Sequence, residues 1–523
     1  MTFSSPLLFA GAFLALAIYR FIIQPLYTHP LRSVPGPTFY ALTRWRLAWE
    51  DLQSRRTRTI HALHRQYGSA VRIGPNEVHF NSLSALKKIY GPGSPFGRTS
   101  FYRMFDAYGE QNLFTFHSSK QHGERKKLLA NVYSKSNILK GRASGLVSEK
   151  VQQYLDWISS TEGKPEEIFK SLHYYSLDSI TAFIYGPSDG GTSSMKGNAS
   201  HQALLDDIIN PSRRRLTWCA VHFPRLVKWL YTRTGLTARL VTPFLPMQKP
   251  TTYTGIRAHA LAASQGAKGT KFEKSAGDEE QTILGRLYHL QSLASQSKAL
   301  TDLQIASECA DHFLAGIDTT SDTLMFMLWA LSRPQNSAFQ QKLMEESLTI
   351  PAEDLDVHGN PTVEAADKLP YLNAVINETL RLYAPLPGSE ARSADMDVVV
   401  DGYLIPAGSI VNMAPYSLHR NAAVFEDPLS WNPDRWLVKD AEKLAEMKRW
   451  FWPFSSGGRM CIGMHLATAE MAVVPAIYRK YSTSIAPGFE AKSPGIVSRV
   501  EVFGDESFDE TEEHTCWINF VPT

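Results

Sequence analysis

The chain has 523 residues, and its 54 Lys and Arg against 51 Asp and Glu give a formal net charge of +3. Hydrophobic residues make up 43% of the sequence, which is typical of globular proteins and too apolar for a disordered chain. The near-neutral charge argues against nucleic-acid binding, and four cysteines are too few for a disulfide framework, which favours a reducing compartment. Length alone suggests about three domains.

The N-terminal segment, residues 1–27, has the composition of a membrane anchor. Residues 6–23 supply the roughly 20 apolar residues that span a bilayer, provided that Arg20 extends to the interface. No basic residue precedes this stretch, which argues against a cleaved signal peptide. The arginines that follow it predict, by the positive-inside rule, a body on the cytoplasmic side: Arg20, Arg32, Arg44 and Arg46. A buried apolar helix is the alternative.

The next segment, residues 28–40, is predicted to be a hinge. Val34-Pro35-Gly36-Pro37 ends any helix, because proline fixes φ and glycine frees it. Residues 41–523 show no repeat and no boundary between segments of different composition. We therefore expect one large domain there, although the length suggests more.

Two segments of this domain predict small β-sheets. Ala70–Asn81 is rich in β-forming residues around a Gly-Pro-Asn turn, which is typical of a hairpin. Asp397–Ala414 contains a second pair of strands, VVV and SIVNM, separated by turn residues. Both segments are short, so the sheets are a minor part of the fold.

Most of the other periodic segments are helical. The longest predicted helix begins at a capping box formed by Thr301 and Gln304 and ends at Ser332. It is far longer than the usual helix, and we expect it to cross the whole domain. A second helix begins at Pro370 and ends before Pro385. The predicted fold class is mainly α with small β-sheets.

A glycine-containing loop near the C-terminus, Phe454–Gly463, brings Cys461 to the start of a helix at Met464. Free backbone N–H groups and the positive helix end are expected to lower the pKa of a thiol there. Arg459 can pair with a carboxylate beside the loop, and Gly463 lets a planar group approach. A thiolate with such donors is one way in which proteins hold haem iron. A structural role, the alternative, is our interpretation of the other cysteines: Cys219, Cys309 and Cys516.

The loop resembles the haem-binding signature F-x-x-G-x-R-x-C-x-G of the cytochrome P450 family at all five fixed positions: Phe454, Gly457, Arg459, Cys461 and Gly463. A chance match to this pattern is rare in a chain of this length. The resemblance implies the cytochrome P450 fold, preceded by a single N-terminal transmembrane helix. It also implies that these residues bind haem b, with Cys461 as the axial ligand of the iron.

Three charged residues resemble the Glu/Arg/Arg triad of the family. Glu378 and Arg381 are three residues apart on the predicted Pro370 helix, and this spacing places both on one face. Arg435 follows in an Asn-Pro-Asp-Arg-Trp segment. The resemblance implies a structural ionic lock under the haem that holds the cysteine loop in place.

The long helix contains Ala315-Gly316-Ile317-Asp318-Thr319-Thr320, which resembles the oxygen-activation motif of the family. The small residues Ala315 and Gly316 allow the cofactor to approach, and Gly316 weakens the helix locally. A hydroxyl beside a carboxylate can relay protons. The resemblance therefore assigns a catalytic proton relay to Asp318 and Thr319. Without the cysteine loop, a simple helix kink would explain this segment equally well.

By position, three residues resemble contacts of the family to the haem propionates: Arg459, Arg392 and His122. The family often has Arg four residues after this His, whereas this chain has Lys126, which supplies charge without the bidentate fork of Arg. Arg125 is the alternative contact. Another departure is Pro475, which predicts a kink or early end in the helix after Cys461.

The resemblance implies a membrane-anchored haem-thiolate monooxygenase that inserts one oxygen atom of O₂ into a lipophilic small molecule. No G-x-G-x-x-G opens a helix, so electrons are expected from NADPH through a separate cytochrome P450 reductase. Candidate contacts for that reductase are basic: Lys126, Lys127, Lys448 and Arg449. The implied location is the endoplasmic reticulum membrane, with the catalytic domain facing the cytoplasm.

Two alternatives keep the haem but change the function. An oxygen-independent isomerase or dehydratase often lacks the alcohol–acid pair that this chain retains, and a haem sensor or carrier does not need it. The predicted pocket is apolar and partly aromatic, and it is lined by Phe101–Phe114, Phe313–Thr319 and Leu386–Ser389. The sequence resembles fungal biosynthetic members of the family, which suggests a terpenoid, polyketide or alkaloid intermediate as substrate.

Overall fold

The protein is described here from a computed structural model that covers residues 4–161, 163–187, 190–210, 212–244, 254–267, 282–295 and 299–523. Its α-helices are α1 Ser4–Ile18, α2 Thr38–Leu42, α3 Trp45–Leu52, α4 Arg56–Tyr67, α5 Leu83–Tyr90, α6 Ser119–Leu129, α7 Lys135–Lys140, α8 Arg142–Ser160, α9 Ile168–Tyr185, α10 Ala199–Gln202, α11 Asp206–Ile209, α12 Ser212–His222, α13 Pro224–Thr232, α14 Gly235–Val241, α15 Thr254–Gly266, α16 Ile283–Leu293, α17 Asp302–Ser332, α18 Ser337–Leu348, α19 Val363–Asp367, α20 Pro370–Leu382, α21 Pro415–Leu418, α22 Ala441–Trp450, α23 Met464–Glu470 and α24 Val473–Tyr478. Its strands are β1 Ala70–Gly74, β2 Glu77–Phe80, β3 Gly97–Arg98, β4 Glu166–Glu167, β5 Arg392–Ser393, β6 Val398–Val400, β7 Tyr403–Ile405, β8 Ile410–Asn412, β9 Tyr481–Ile485, β10 Lys492–Ser498, β11 Glu501–Phe503, β12 Glu510–Glu513 and β13 Trp517–Pro522. The mainly α fold class with small sheets is confirmed.

The sheets confirm both strand predictions and contain strands that were not predicted. The predicted hairpin forms from β1 and β2, which pair antiparallel in a five-stranded sheet of order β1-β2-β8-β5-β3. Both strands predicted within Asp397–Ala414 form, as β6 and β8, but they do not pair with each other. Strand β6 pairs with β7, because Asp401 and Gly402 adopt positive φ and form a tight turn, whereas β8 pairs with β2.

The long helix α17 has 31 residues and runs through the largest hydrophobic cluster of the protein. Its N-terminus is the predicted capping box, in which the Thr301 and Gln304 side chains each accept a backbone N–H. The helix is continuous through Gly316, so the predicted local weakening produces no break. Instead, a Cβ at Gly316 would lie 2.4 Å from Cγ1 of Ile180, so the glycine allows α9 to pack closely against α17.

The helix after the cysteine loop is interrupted, as Pro475 predicts. Helix α23 ends at Glu470 and α24 begins at Val473. Both halves stay buried, and α24 packs against α8 and α18. The interruption lies in the core and away from Cys461.

The N-terminal helix is long and apolar enough to cross a membrane between Leu8 and Thr28. Residues 1–3 of the predicted anchor lie outside the described part of the chain. Helix α1 continues into a wider helical turn over Tyr19–Thr28, and its apolar side chains from Leu8 onward are largely exposed. Exposure of so many apolar groups is unfavourable in water and is compatible with a lipid environment.

The segment predicted as a hinge is packed against the body. Leu31 is fully buried in the cluster that includes Val78 and Phe80. The Arg72 guanidinium donates to the carbonyl oxygen of Pro25 at 2.7 Å, and the Arg72 backbone N–H donates to that of Pro35 at 2.8 Å. These contacts fix the direction in which the N-terminal helix leaves the domain.

Candidate active site

The cysteine loop is a tight turn held against helix α5. The backbone N–H of Cys461 donates to the carbonyl oxygen of Phe454 at 2.9 Å, which closes the loop. Gly457 has a φ of +64°, and a Cβ there would lie 2.4 Å from the carbonyl oxygen of Tyr90. Only glycine fits this conformation and this approach, so the signature glycine is needed for the shape of the loop.

The Cys461 thiol is accessible although protein surrounds it on nearly every side. Its sulfur therefore faces an internal space. Burial raises the pKa of this thiol, while hydrogen bonds from the backbone N–H groups of Gly463 and Met464 and the charge of Lys126 oppose the increase. The predicted donors are present, but the predicted net decrease in the pKa is wrong, because desolvation outweighs them.

Glu378, Arg381 and Arg435 are brought together in a buried ion cluster. The Arg381 guanidinium donates two hydrogen bonds to the Glu378 carboxylate, at 2.8 and 2.9 Å, and Arg435 donates a third at 3.0 Å. The Trp436 indole and the Asn432 backbone N–H complete the set of donors to this carboxylate. Because every charge has partners, the cluster can be buried without a large penalty.

A histidine connects this ion cluster to the beginning of the cysteine loop. His419 is fully buried, and its Nδ1–H donates to the carbonyl oxygen of Arg381 at 3.0 Å. This leaves Nε2 as an acceptor, and the Trp452 backbone N–H donates to it at 2.8 Å. Helix α20 therefore positions the chain two residues before Phe454.

Three arginines and a histidine converge near the loop from separate elements. Arg98, Arg392 and Arg459 are close enough that burial and their mutual repulsion lower the pKa of Arg459 to about 9. Burial and the same three arginines, together with Lys126, lower the pKa of His122 to about 3. Glu390 is the acidic partner of Arg392, at 2.9 Å. This excess of buried positive charge favours a bound anion.

Arg98 is the site residue that the sequence did not identify. It lies on β3, is almost fully buried, and stacks its guanidinium on Phe114 with 4.4 Å between the charge centre and the ring centroid. In the sequence, Arg98 is a single arginine outside any motif, and such arginines are also common on protein surfaces. The pairing of β3 with β5 is what places Arg98 beside Arg392.

Lys126 and Arg125, the two candidates for the remaining propionate contact, have different partners in the structure. Lys126 donates through Nζ to the carbonyl oxygens of Met460 and Gly458, at 2.8 and 3.1 Å, so it holds the cysteine loop from the α6 side. Arg125 instead forms a buried ion pair with Glu308 of α17 at 2.5 Å. Arg125 is thus paired through Nη1, and its contact with a propionate stays a prediction.

The predicted oxygen-activation residues lie on α17. Ala315 is accessible in a helix whose neighbouring turns are buried, so this face lines an internal space. The Thr319 hydroxyl donates to the Ala315 carbonyl oxygen at 2.8 Å. Asp318, adjacent to it in sequence, has about a third of its side chain exposed, and its Oδ1 lies 3.8 Å from Nε2 of His173 on α9.

Part of the predicted pocket lining is an aromatic cluster. Phe101, Tyr102, Phe105 and Phe114 make edge-to-face contacts with ring centroids 5.2 to 6.3 Å apart. Leu386, from the third predicted segment, is exposed. Such a surface fits an apolar ligand with aromatic or planar character.

The residues present fit a haem. Within the described part of the chain, no group of three or more His, Cys, Asp and Glu side chains could hold a metal ion, and the ligand that the cysteine loop offers is the accessible Cys461. A lone thiolate next to an apolar space and an excess of buried cations suits a planar iron macrocycle with acidic groups. Fold and site thus define a haem-thiolate protein.

Comparison with known proteins places the chain in a family. The sequence profile for cytochrome P450 matches residues 35–493, so the chain belongs to the cytochrome P450 family. It is 30% identical to cytochrome P450 monooxygenase stcB of Emericella nidulans, over 87% of this chain and 83% of that protein. It is also 30% identical to cytochrome P450 monooxygenase aflV of Aspergillus parasiticus, over 90% and 87%. With cytochrome P450 monooxygenase cypX of Dothistroma septosporum the identity is 28%, over 91% and 89%.

Proposed function

We propose that the protein is a haem-thiolate monooxygenase that oxidises a lipophilic small molecule in fungal secondary metabolism. The observation that carries this proposal is Cys461, whose accessible sulfur faces the interior beside the Arg98, Arg392 and Arg459 cluster. Membership of the cytochrome P450 family and the monooxygenase names of the fungal relatives support it. When bound, haem b supplies the activation of O₂ and the transfer of one oxygen atom to the substrate.

The other functions needed for the proposed reaction are assigned to side chains of the protein. Cys461 would hold the haem iron through its sulfur, the Arg98, Arg392 and Arg459 cluster would balance the charge of the propionates, and His122 would be a further hydrogen-bonding contact to them. Lys126 and the Glu378 ion cluster hold the loop from two sides, which fixes the direction of the sulfur. Asp318 and Thr319 would supply protons from their carboxyl and hydroxyl oxygens, and the apolar lining would keep bulk water from the substrate.

The retained acid–alcohol pair favours a monooxygenase over the two alternatives. An isomerase, a dehydratase or a haem carrier has no need for Asp318 and Thr319 to deliver protons. Both residues lie on helix α17 and are partly exposed beside the accessible Ala315. This position supports the assignment of a proton relay to them.

The cellular arrangement is also part of the proposal. The apolar helix Leu8–Thr28 would anchor the protein in the endoplasmic reticulum membrane, with the domain in the cytoplasm because basic residues follow the helix. NADPH would supply electrons through a separate reductase that docks on the basic face near Lys127, Lys448 and Arg449. The aromatic cluster at Phe101–Phe114 supports a substrate of the terpenoid, polyketide or alkaloid type.

Spectroscopy tests the thiolate assignment without knowledge of the substrate. The reduced protein with CO is expected to show the long-wavelength Soret band of thiolate-ligated haem. Cys461→Ala should lose this band, whereas Cys219→Ala, which changes a partly buried cysteine on α12, should keep it. A short-wavelength band in the wild type, or a normal band in Cys461→Ala, would contradict the proposal.

A further inference from the structure

Beside the predicted acid–alcohol pair, the buried side chains of His173 and Asp322 meet the partly exposed Asp318 between helices α9 and α17. Nε2 of His173 lies 3.8 Å from Oδ1 of Asp318 and 3.8 Å from Oδ1 of Asp322. The two aspartates are four residues apart and share one face of α17. His173 is 1% exposed and the Asp322 side chain 10%.

The hydrogen bonds of His173 fix which of its nitrogens carries a proton. Nδ1 lies 2.7 Å from the carbonyl oxygen of Phe169, and a carbonyl can only accept, so Nδ1 carries the hydrogen. In the neutral ring, Nε2 is then a bare acceptor that faces two carboxyl oxygens. Nε2 has no hydrogen-bond partner among the described residues at the present distances.

Neither Nε2 of His173 nor an ionised Asp322 carboxylate carries a hydrogen, so the approach of these two buried groups is favourable only with a proton between them. Burial and the neighbouring Asp318 raise the pKa of Asp322 well above its usual range, while burial lowers the pKa of His173 to about 3. The other titratable group near His173 is His514, which stacks on the far side of Phe169 and lowers the pKa of His173 further. Because the Asp322 side chain is 10% exposed and that of Asp318 37%, burial favours the neutral acid at Asp322, and we place the proton there at neutral pH.

We propose that His173 and Asp322 hold one proton in reserve and pass it to Asp318 whenever Asp318 has given up its own. This inference rests on the proposed function and extends it, because it assigns a source to the protons that Asp318 delivers. Both residues act through Asp318 and are positioning residues for the relay.

The transfer is balanced in protons and needs no further reactant. The O–H bond of the Asp322 acid breaks as Nε2 of His173 takes the proton, and the resulting N–H donates that proton to Oδ1 of Asp318. Both gaps of 3.8 Å must shorten by about 1 Å to reach hydrogen-bond range, or hold a bridging water. One proton from solvent then restores the Asp322 acid, and the net charge of the cluster is unchanged.

Infrared spectroscopy of the holoenzyme tests the stored proton directly. At neutral pH the wild type is expected to show a carboxylic-acid C=O band that shifts in D₂O and is lost in Asp322→Asn. In His173→Gln the band should move, because the acid loses its acceptor. Buried acids such as Glu470 contribute other bands, so only the wild type minus Asp322→Asn difference is assigned. If this difference contains no acid band, the proposal is overturned.

Turnover without substrate tests the role in proton supply. With NADPH and reductase, a weakened proton supply should raise the ratio of hydrogen peroxide formed to NADPH consumed. His173→Gln and Asp322→Asn are expected to raise this ratio and to flatten its pH dependence, and neither should add to the effect of Asp318→Asn. A ratio and pH profile like those of the wild type would overturn the proposal.

The matched control is His64→Gln, which changes another buried histidine whose pKa is lowered to about 4 by burial. His64 lies on α4 beside His79, in the sheet region, and should leave the peroxide ratio unchanged. Haem content and the Soret band of the CO complex are measured for every variant. Loss of the thiolate band in the wild type would defeat the proposed function, whereas the infrared difference tests the stored proton independently.

Discussion

Glu378 is a single buried side chain on which we expect both the stability of the protein and the retention of haem to depend. It is fully buried and accepts hydrogen bonds from Arg381, Arg435 and Trp436. In Glu378→Gln two guanidinium groups lose their countercharge, which for buried pairs costs about 3–5 kcal/mol. We expect a lower urea midpoint and loss of haem.

The matched control for this prediction is Glu426→Gln. Glu426 is an exposed carboxylate paired with Lys443 at 3.0 Å. Because water already solvates this pair, the change should leave the urea midpoint and haem content as in the wild type. Equal effects of the two substitutions would contradict a special role for the buried cluster.

The hydroxyl groups of Thr319 and Thr323 lie one helical turn apart on α17 and differ in their exposure. The Thr319 hydroxyl donates to the Ala315 carbonyl oxygen, on the accessible side of α17, while the Thr323 hydroxyl donates to the Thr319 carbonyl oxygen in a buried position. Thr319→Ala should keep the haem and divert NADPH consumption into peroxide, because the hydroxyl that receives protons from Asp318 is gone. Thr323→Ala should leave peroxide formation unchanged, and peroxide assays on both variants check this difference. Unchanged coupling in Thr319→Ala would show that this hydroxyl is not part of the relay.

The crossing of α9 and α17 depends on the absence of a side chain at Gly316. A Cβ there would lie 2.4 Å from Cγ1 and 2.7 Å from Cδ1 of Ile180. Gly316→Ala should therefore destabilise the protein by about 1–3 kcal/mol through overpacking. In the double variant with Ile180→Ala the two changes should compensate in part, so their free energies of unfolding should not add. Strict additivity in denaturant titrations would contradict this contact.

The helices and the cysteine loop were predictable because their signals are local. The capping box at Thr301, the proline at Pro370 and the signature around Cys461 each lie within a few residues of one another. Long-range packing carries no such signal. Arg98 reaches the site only through the pairing of β3 with β5, and His173 meets Asp318 only because α9 crosses α17 at Gly316. Strand β7 was not predicted, because its three residues lie between turn residues and are too few to show a strand pattern of their own.

Stability of the whole protein should depend on pH through Glu470 of α23. Burial raises the pKa of this carboxyl group to about 8, opposed by a hydrogen bond with Thr320. The folded protein then binds a proton that the unfolded chain releases above its ordinary pKa of 4.5, so the stabilisation contributed by Glu470 is fully present below that pH and is lost as the pH rises towards about 8. The slope is up to about 1.4 kcal/mol per pH unit. Glu470→Gln keeps the shape of the side chain without its charge, so the free energy of unfolding from urea titrations should decline less between those two pH values. A decline equal to that of the wild type would mean that other groups cause it.

Truncation distinguishes the membrane anchor from the part of the N-terminus that belongs to the domain. Pro25 is buried and its carbonyl oxygen accepts a hydrogen bond from the buried guanidinium of Arg72 at 2.7 Å, whereas Leu8, Phe13 and Phe21 are exposed. Removal of residues 2–23 should release the protein from the membrane fraction without loss of thermal stability. Removal of residues 2–28 should also release it but lower the melting temperature, because the buried Arg72 loses an acceptor that nothing replaces. Membrane fractionation and thermal unfolding of both truncated proteins separate the two effects. If the protein that lacks residues 2–23 stays in the membrane fraction, the exposed apolar helix α13 or α14 binds lipid independently.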